Sequence, residues 1–172
     1  MLFPVHEKIV YPGHGVARVE GIIEKIISNT TCSFYELSFL NKDATILVPT
    51  DKAEVVGLRL LSSVENIDNA LEVIAQPARR LHHYEFSASS WNKRNKQYQL
   101  KLRRGGLLDL SEIYRDLRFI ATQKELSFGE KKLLDKAESL LVEEIALVQK
   151  RDESNTMERL RQLCAEKNCK QS

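Results

Sequence analysis

Two kinds of hydrophobic spacing divide the chain. From Phe3 to about Leu61, apolar and aromatic residues come in short runs, KIVYP, GVARVEGIIEKII, FYELSFL and ATILVP, separated by turn-forming residues. Alternation is clearest in Tyr35, Leu37 and Phe39 and in Val16, Arg18 and Glu20. A period of two is the signature of strands buried on one face. The punctuation predicts hairpins, with Pro12-Gly13-His14-Gly15 after the first strand, Ser28 to Ser33 after the second and Asn41-Lys42-Asp43 after the third. Four or five strands on so short a segment bury enough surface only by curling. Residues 1–60 therefore read as a small Tudor-like or SH3-like β-barrel.

Past Val56-Gly57-Leu58-Arg59 the spacing changes to that of a helix, which places a boundary near residues 60–63. Val64, Ile67, Leu71 and Ile74 make one apolar face, and Pro77 ends that helix. Ala78 to Phe86 is a connector. A second helix takes Ser89 or a neighbouring serine as its N-cap and Gly105-Gly106 as its stop. Leu110, Ile113, Tyr114, Leu117, Ile120 and Ala121 set a third, entered through Asp109 with Glu112 three residues on, a capping-box spacing. Ser127 and Glu130 repeat that spacing before the longest helix, whose stripe is Leu133, Leu134, Ala137, Leu140, Leu141, Ile145 and Val148. A weaker last helix is carried by Met157, Leu160, Leu163 and Cys164. The fold class is α+β in two domains: a barrel over 1–60, an all-α domain over 64–165, and a polar tail over 166–172.

Composition adds boundaries rather than detail. With 172 residues, 42% of them hydrophobic, two small cores are within reach. No run approaches the roughly 18 apolar residues of a membrane span, and MLFPVHEKIVYP lacks a basic stretch followed by an apolar one. The expected location is cytoplasmic. Three cysteines, Cys32, Cys164 and Cys169, suit a reducing compartment, and the histidines His6, His14, His82 and His83 do not complete a zinc set with them. No nucleophile, base or phosphate-cradling glycine motif stands out, so neither an enzyme nor a cofactor nor a small-molecule substrate is expected. His14 reads as a turn-packing residue. Phe3, Tyr11, Phe34, Tyr35 and Phe39 read as barrel core rather than as a cation cage.

Charge changes the picture in one place. Between Arg79 and Arg104 there are eight basic residues and one acid, Glu85, a local charge of +7 in a chain of net +2. The barrel segment, with six basic and seven acidic residues, is close to neutral. Local potential governs attraction to phosphates, so nucleic acid is the expected partner of the basic segment. The chain's single tryptophan, Trp91, opens it among Lys93, Arg94 and Lys96. An aromatic among cations can stack on unpaired bases or wedge into a minor groove. Trp91, Asn95, Tyr98 and Leu102 also share a helical face, so a core position for Trp91 and a solvated basic face stay open on the pattern alone.

Four motifs then fall in one order: Val10-Tyr11-Pro12-Gly13-His14-Gly15; Val48-Pro49 followed by Val55-Val56-Gly57-Leu58-Arg59; Trp91-Asn92-Lys93-Arg94; and Leu126-Ser127-Phe128-Gly129-Glu130-Lys131-Lys132. In these the chain resembles the CarD/CdnL family of bacterial transcription regulators over nearly its whole length. The resemblance implies a Tudor-like domain that binds the β subunit of RNA polymerase and a helical domain that contacts promoter DNA, holding the open complex. It implies a minor-groove wedge for Trp91 at the upstream edge of the bubble and backbone contacts for Lys93, Lys96 and Lys131. Arg94 joins them by charge and proximity. For polymerase it implies Lys25, with Ile27 beside it, and Leu47 stands where some members carry arginine. A nucleoid-associated regulator is the expectation. An RNA-binding or ribosome-associated module and a protein-only adaptor are the alternatives.

Overall fold

The computed structural model describes residues 3–78, 85 and 87–168 and divides into two units, residues 1–61 and 62–172. The first is an antiparallel sheet of β1 (Lys8–Tyr11), β2 (Gly15–Ile27), β3 (Thr30–Phe39), β4 (Thr45–Pro49) and β5 (Arg59–Leu60), hydrogen-bonded in the order β4-β3-β2-β1-β5. A short helix, α1 (Ala53–Val56), follows β4 and ends at Gly57, whose φ of 81° suits a residue without Cβ. One face of the sheet is dry: Ile9, Ala17, Val19, Tyr35 and Leu37 have no accessible surface. Phe3 packs edge-on against Tyr35 and its backbone N–H donates to the Tyr35 hydroxyl at 3.1 Å. Of the five aromatics expected in the core, Phe3, Tyr35 and Phe39 are buried there and Tyr11 packs against them, whereas Phe34, one residue out of phase with Tyr35, is half-buried on the reverse face.

His14 does pack the turn it belongs to. Its ring meets Tyr11 edge-on at 4.6 Å, while Lys42 donates to the His14 carbonyl and lies 4.0 Å from the centroid of the Phe39 ring. The second hairpin departs from expectation. β3 begins at Thr30, so the connection is Ser28-Asn29 alone, not Ser28 to Ser33, with φ values of 50° and 62°. Two left-handed residues give the twist that a two-residue hairpin needs, and β2 and β3 pair without interruption from Gly21↔Glu36 to Ile27↔Thr30.

The second unit holds α2 (Val64–Ala75), α3 (Ala88–Arg104), α4 (Leu107–Gln123), α5 (Phe128–Gln149) and α6 (Glu153–Asn168) around one core. Ser63 caps α2 by accepting from the Asn66 N–H at 3.2 Å, and Ser127 with Glu130 forms the expected capping box on α5. The expected box on α4 is absent. That helix starts two residues earlier than Asp109, with Gly106 as a cap that makes no side-chain bond, and Asp109 instead sits in the first turn facing the positive helix end. Of the serines expected to cap α3, Ser87 is the one that does so. α6 runs to Asn168, past the expected boundary at 165.

α6 is fastened from below. Glu138 on α5 is buried and accepts from the Tyr114 hydroxyl of α4 at 3.0 Å and from Arg161 of α6 at 2.6 and 3.1 Å. Burial pushes the Glu138 carboxyl up, but the Arg161 and Tyr114 hydrogen bonds outweigh it and hold it below its ordinary 4.5. A carboxylate depressed by folding contributes stability that is complete above its unfolded pKa and lost as pH falls through the folded one. Denaturant titrations of the full chain should therefore give a constant stability from pH 7 to about 5 and a decline below that. Glu138→Gln should flatten the decline; an unaltered acid profile in that variant would remove Glu138 from the account. Next to this cluster, burial drives the Cys164 thiol up to about 11, which leaves it protonated and unreactive at neutral pH.

Candidate nucleic-acid interface

α3 carries the only tryptophan on its first turn. At 100° per residue Trp91, Asn95, Tyr98 and Leu102 fall on one side of the helix, and Lys93, Lys96 and Leu100 on the other. Tyr98 is buried, and Trp91 and Leu102 are partly buried against the same core. The indole edge meets Gly129 on the first turn of α5, where an added Cβ would lie 3.4 Å from Cζ2 and 3.6 Å from Nε1. Its centroid is 6.4 Å from that of Tyr98. Trp91 thus sits at the margin of the core, mostly covered but with part of its surface open to solvent, between the two positions the sequence allows.

Arg94 and Glu130 fix this margin. Glu130, only 1% exposed, accepts from Lys124 Nζ at 2.6 Å and from the Ser127 N–H at 2.8 Å, and its other oxygen lies 3.6 Å from the Arg94 guanidinium. Arg94 also donates to the Glu85 carbonyl. Burial raises the Glu130 pKa, but Lys124 and Ser127 pull it below its ordinary 4.5, so it is the carboxylate that is held. This turns Arg94 inward, so that its guanidinium is largely covered.

The positive charge of the segment is therefore partly compensated from other helices. Arg94 pairs with Glu130 on α5 and Lys101 with Glu112 on α4. Lys93, Lys96, Arg103 and Arg104 are exposed and have no ion pair among the described residues. Lys131 is half exposed and lies 3.3 Å from Glu125, itself 89% exposed, the kind of surface pair worth about 0–1 kcal/mol. A phosphate could displace it at little cost. Arg79, Arg80, His82, His83 and Cys169 lie outside the described residues.

Beside Trp91 the facing sides of α3 and α5 enclose a groove of about 380 Å³. Leu102 and Leu133 line it; Asn95 and Gln99 come from α3, and Lys132 and Lys136 from α5. None of these four polar residues is among the contacts expected from the sequence, although Asn95 shares the Trp91 face and Lys132 closes the Leu126–Lys132 motif. Their i, i+4 spacing on each helix was visible, but nothing in it says that the two turns face one another.

In the barrel unit the register puts Lys25, Ile27 and Leu47 on one face. Lys25 pairs with Cys32 and Ile27 with Thr30, while Leu47 pairs with Glu36, itself opposite Gly21, four residues from Lys25. This face is the reverse of the Tyr35, Leu37 and Val48 core side. Ile27 is 49% and Leu47 36% exposed, and a groove of about 630 Å³ on the unit is lined by Ile27, Cys32, Phe34 and Pro49 among others.

Among the described residues no cluster of histidine, cysteine and acidic side chains could hold a metal ion, and no helix is long and apolar enough to cross a membrane. The family description "CarD-like/TRCF RID domain" matches residues 3–68 and "CarD, C-terminal domain" matches residues 78–161. A Bacillus subtilis (strain 168) protein described as "Putative transcription factor YdeB" is 28% identical over 147 residues, 86% of this chain and 92% of the relative. The first match covers the five strands and the second covers α3 to α5, including Trp91, Gly129 and Glu130, in the order the motifs have. With both structural units matched in that order, the chain belongs to the CarD family of transcription regulators.

Proposed function

We propose that the protein holds RNA polymerase through its barrel and promoter DNA through its helical unit, and that it stabilises the open promoter complex. The observation that carries the reading is the surface of α3: four exposed cations without ion pairs among the described residues, on the helix that presents a half-buried tryptophan at its start. Lys93 and Lys96, with Lys131 from α5, are the phosphate contacts. Trp91 is the wedge at the upstream edge of the bubble. Arg94 is a positioning group, since its guanidinium is committed to Glu130. Contacts available only once the duplex is parted lower the free energy of the open state relative to the closed one, a shift of population rather than a catalysed step.

Two measurements test the halves separately. Each phosphate neutralised by Lys or Arg releases counterions, so affinity for duplex DNA should fall steeply with salt. Lys93→Ala with Lys96→Ala should flatten the logarithmic slope by about one unit per lost contact; an unchanged slope moves the DNA surface elsewhere. On the barrel, Lys25 and Ile27 with Leu47 form the face offered to the polymerase β subunit. Lys25→Glu in the full chain should reduce capture of polymerase roughly ten-fold, as expected for reversing one charge in a contact worth 1–2 kcal/mol. Undiminished capture by the folded variant would reassign that face.

A further inference from the structure

The groove beside Trp91 has a composition that the wedge alone does not use. It combines an aromatic wall, Trp91, with apolar side chains, Leu102 and Leu133, a pair of neutral amides, Asn95 and Gln99, and two cations, Lys132 and Lys136. Gln99 Nε2 donates to Asn95 Oδ1 at 3.3 Å. That bond leaves Asn95 Nδ2 as a donor and Gln99 Oε1 as an acceptor, neither with a side-chain partner among the described residues. A donor next to an acceptor is what the hydrogen-bonding edge of a nucleobase requires. Around α3, Lys96 and Arg103 come just beyond the amides, so the groove runs between two rows of positive charge, one from each helix. At about 380 Å³ it falls in the lower part of the usual range for small-ligand sites, about 300–1,000 Å³.

We infer that this groove receives one unpaired nucleotide of melted DNA, its base against the exposed part of the Trp91 indole and its edge on Asn95 and Gln99, with Lys132 beside the phosphate. The inference rests on the reading that α3 lies on promoter DNA, and it adds a distinct step. A wedge parts a base step; a groove that then holds the displaced base disfavours its return to the stack. Charge complementarity and continuity with the exposed cations of α3 favour a nucleic-acid occupant over an apolar one. Lys132 has no ion pair among the described residues, and filling the groove buries no carboxylate.

Because Trp91 is the only tryptophan, its fluorescence reports the groove directly. The full-length protein is titrated with three DNAs of one sequence: a duplex, the same duplex with a single unpaired thymidine at a fork, and the fork with that nucleotide made abasic. The fork should quench Trp91 and bind about ten-fold more tightly than the abasic fork, the effect of one stacked base. Asn95→Ala with Gln99→Ala should abolish most of this difference; it removes no charge, so the salt slope on duplex should stay as it was. Equal binding and quenching by fork and abasic fork, with salt-dependent duplex binding intact, would overturn the groove assignment and leave the proposed DNA surface standing. Loss of salt-dependent binding to all three DNAs in the unaltered protein would overturn both. Saturable quenching by thymidine 5′-phosphate as strong as that by the fork would also overturn it, assigning the groove to free nucleotides.

Discussion

Replacing Glu130 by alanine is expected to lower the thermal midpoint of the helical unit by roughly 10–20 °C. The side chain is almost wholly buried, closes the capping box of α5 and lies between Lys124 and Arg94. Its removal strands the Arg94 guanidinium, of which Nε and one terminal nitrogen already have no hydrogen-bond partner among the described residues. Breaking a buried pair from one side costs about 3–5 kcal/mol, and a domain of this size loses several degrees for each. Removing both charges is a different experiment. Glu130→Leu with Arg94→Met should regain much of the loss, because the cost lies in the unpaired partner more than in the pair. Calorimetry on the two variants checks this; a midpoint for Glu130→Ala within a few degrees of the parent would mean that the cluster is solvated.

Trp91→Ala should have the larger effect on function and the smaller one on stability. A fully buried aromatic costs about 3–5 kcal/mol on truncation to alanine, whereas this indole is only partly buried at the margin of the core, so a smaller loss of about 1–2 kcal/mol is expected. On the open complex the same change removes contacts that offset the unstacking of a base step, a matter of a few kcal/mol, and lifetime should shorten at least ten-fold. Midpoint and lifetime are best measured on one preparation. A normal lifetime in a folded variant would refute the wedge, and a midpoint as low as that of Glu130→Ala would place the indole in the core. Trp91→Phe, which keeps an aromatic ring in this position, should fall between parent and alanine in both measurements.

The elements were legible where one local signal decided them. The stripe from Leu133 to Ile145, the Ser127–Glu130 box and the stop at Gly105 depend on residues within a few positions of each other, and the structure has all three. Ser28-Asn29 was missed because neither residue needs a left-handed conformation; the pairing of the flanking strands imposes it. The start of α4 was missed because Gly106 offers no side-chain signal, while Asp109 and Glu112 mimic one. Acids were the least readable. Glu130, Glu138, Glu143 and Glu144 are all buried on α5, and Glu144 accepts from the Ser62 N–H at 2.9 Å. Glu130 and Glu144 fall within the arc of the Leu133 to Val148 stripe and Glu138 at its edge, but the pattern does not show what satisfies them there, because Arg94, Tyr114, Arg161 and Ser62 lie on segments distant in the chain. The inward turn of Arg94 belongs to the same class: a count of charges cannot see an ion pair made through tertiary packing.

The attachment of α6 to Glu138 bears on how the molecule is made. Until Arg161 has been synthesised, the bundle contains a carboxylate that it can bury only with an incomplete set of partners, and Leu160 has not yet filled its place in the core. The sheet, by contrast, is complete within the first 61 residues. Domains that need no later residue fold while the ribosome is still at work. The barrel should therefore form during translation, whereas the helical unit has to wait for its last helix and, in the interval, offers its half-built core to chaperones.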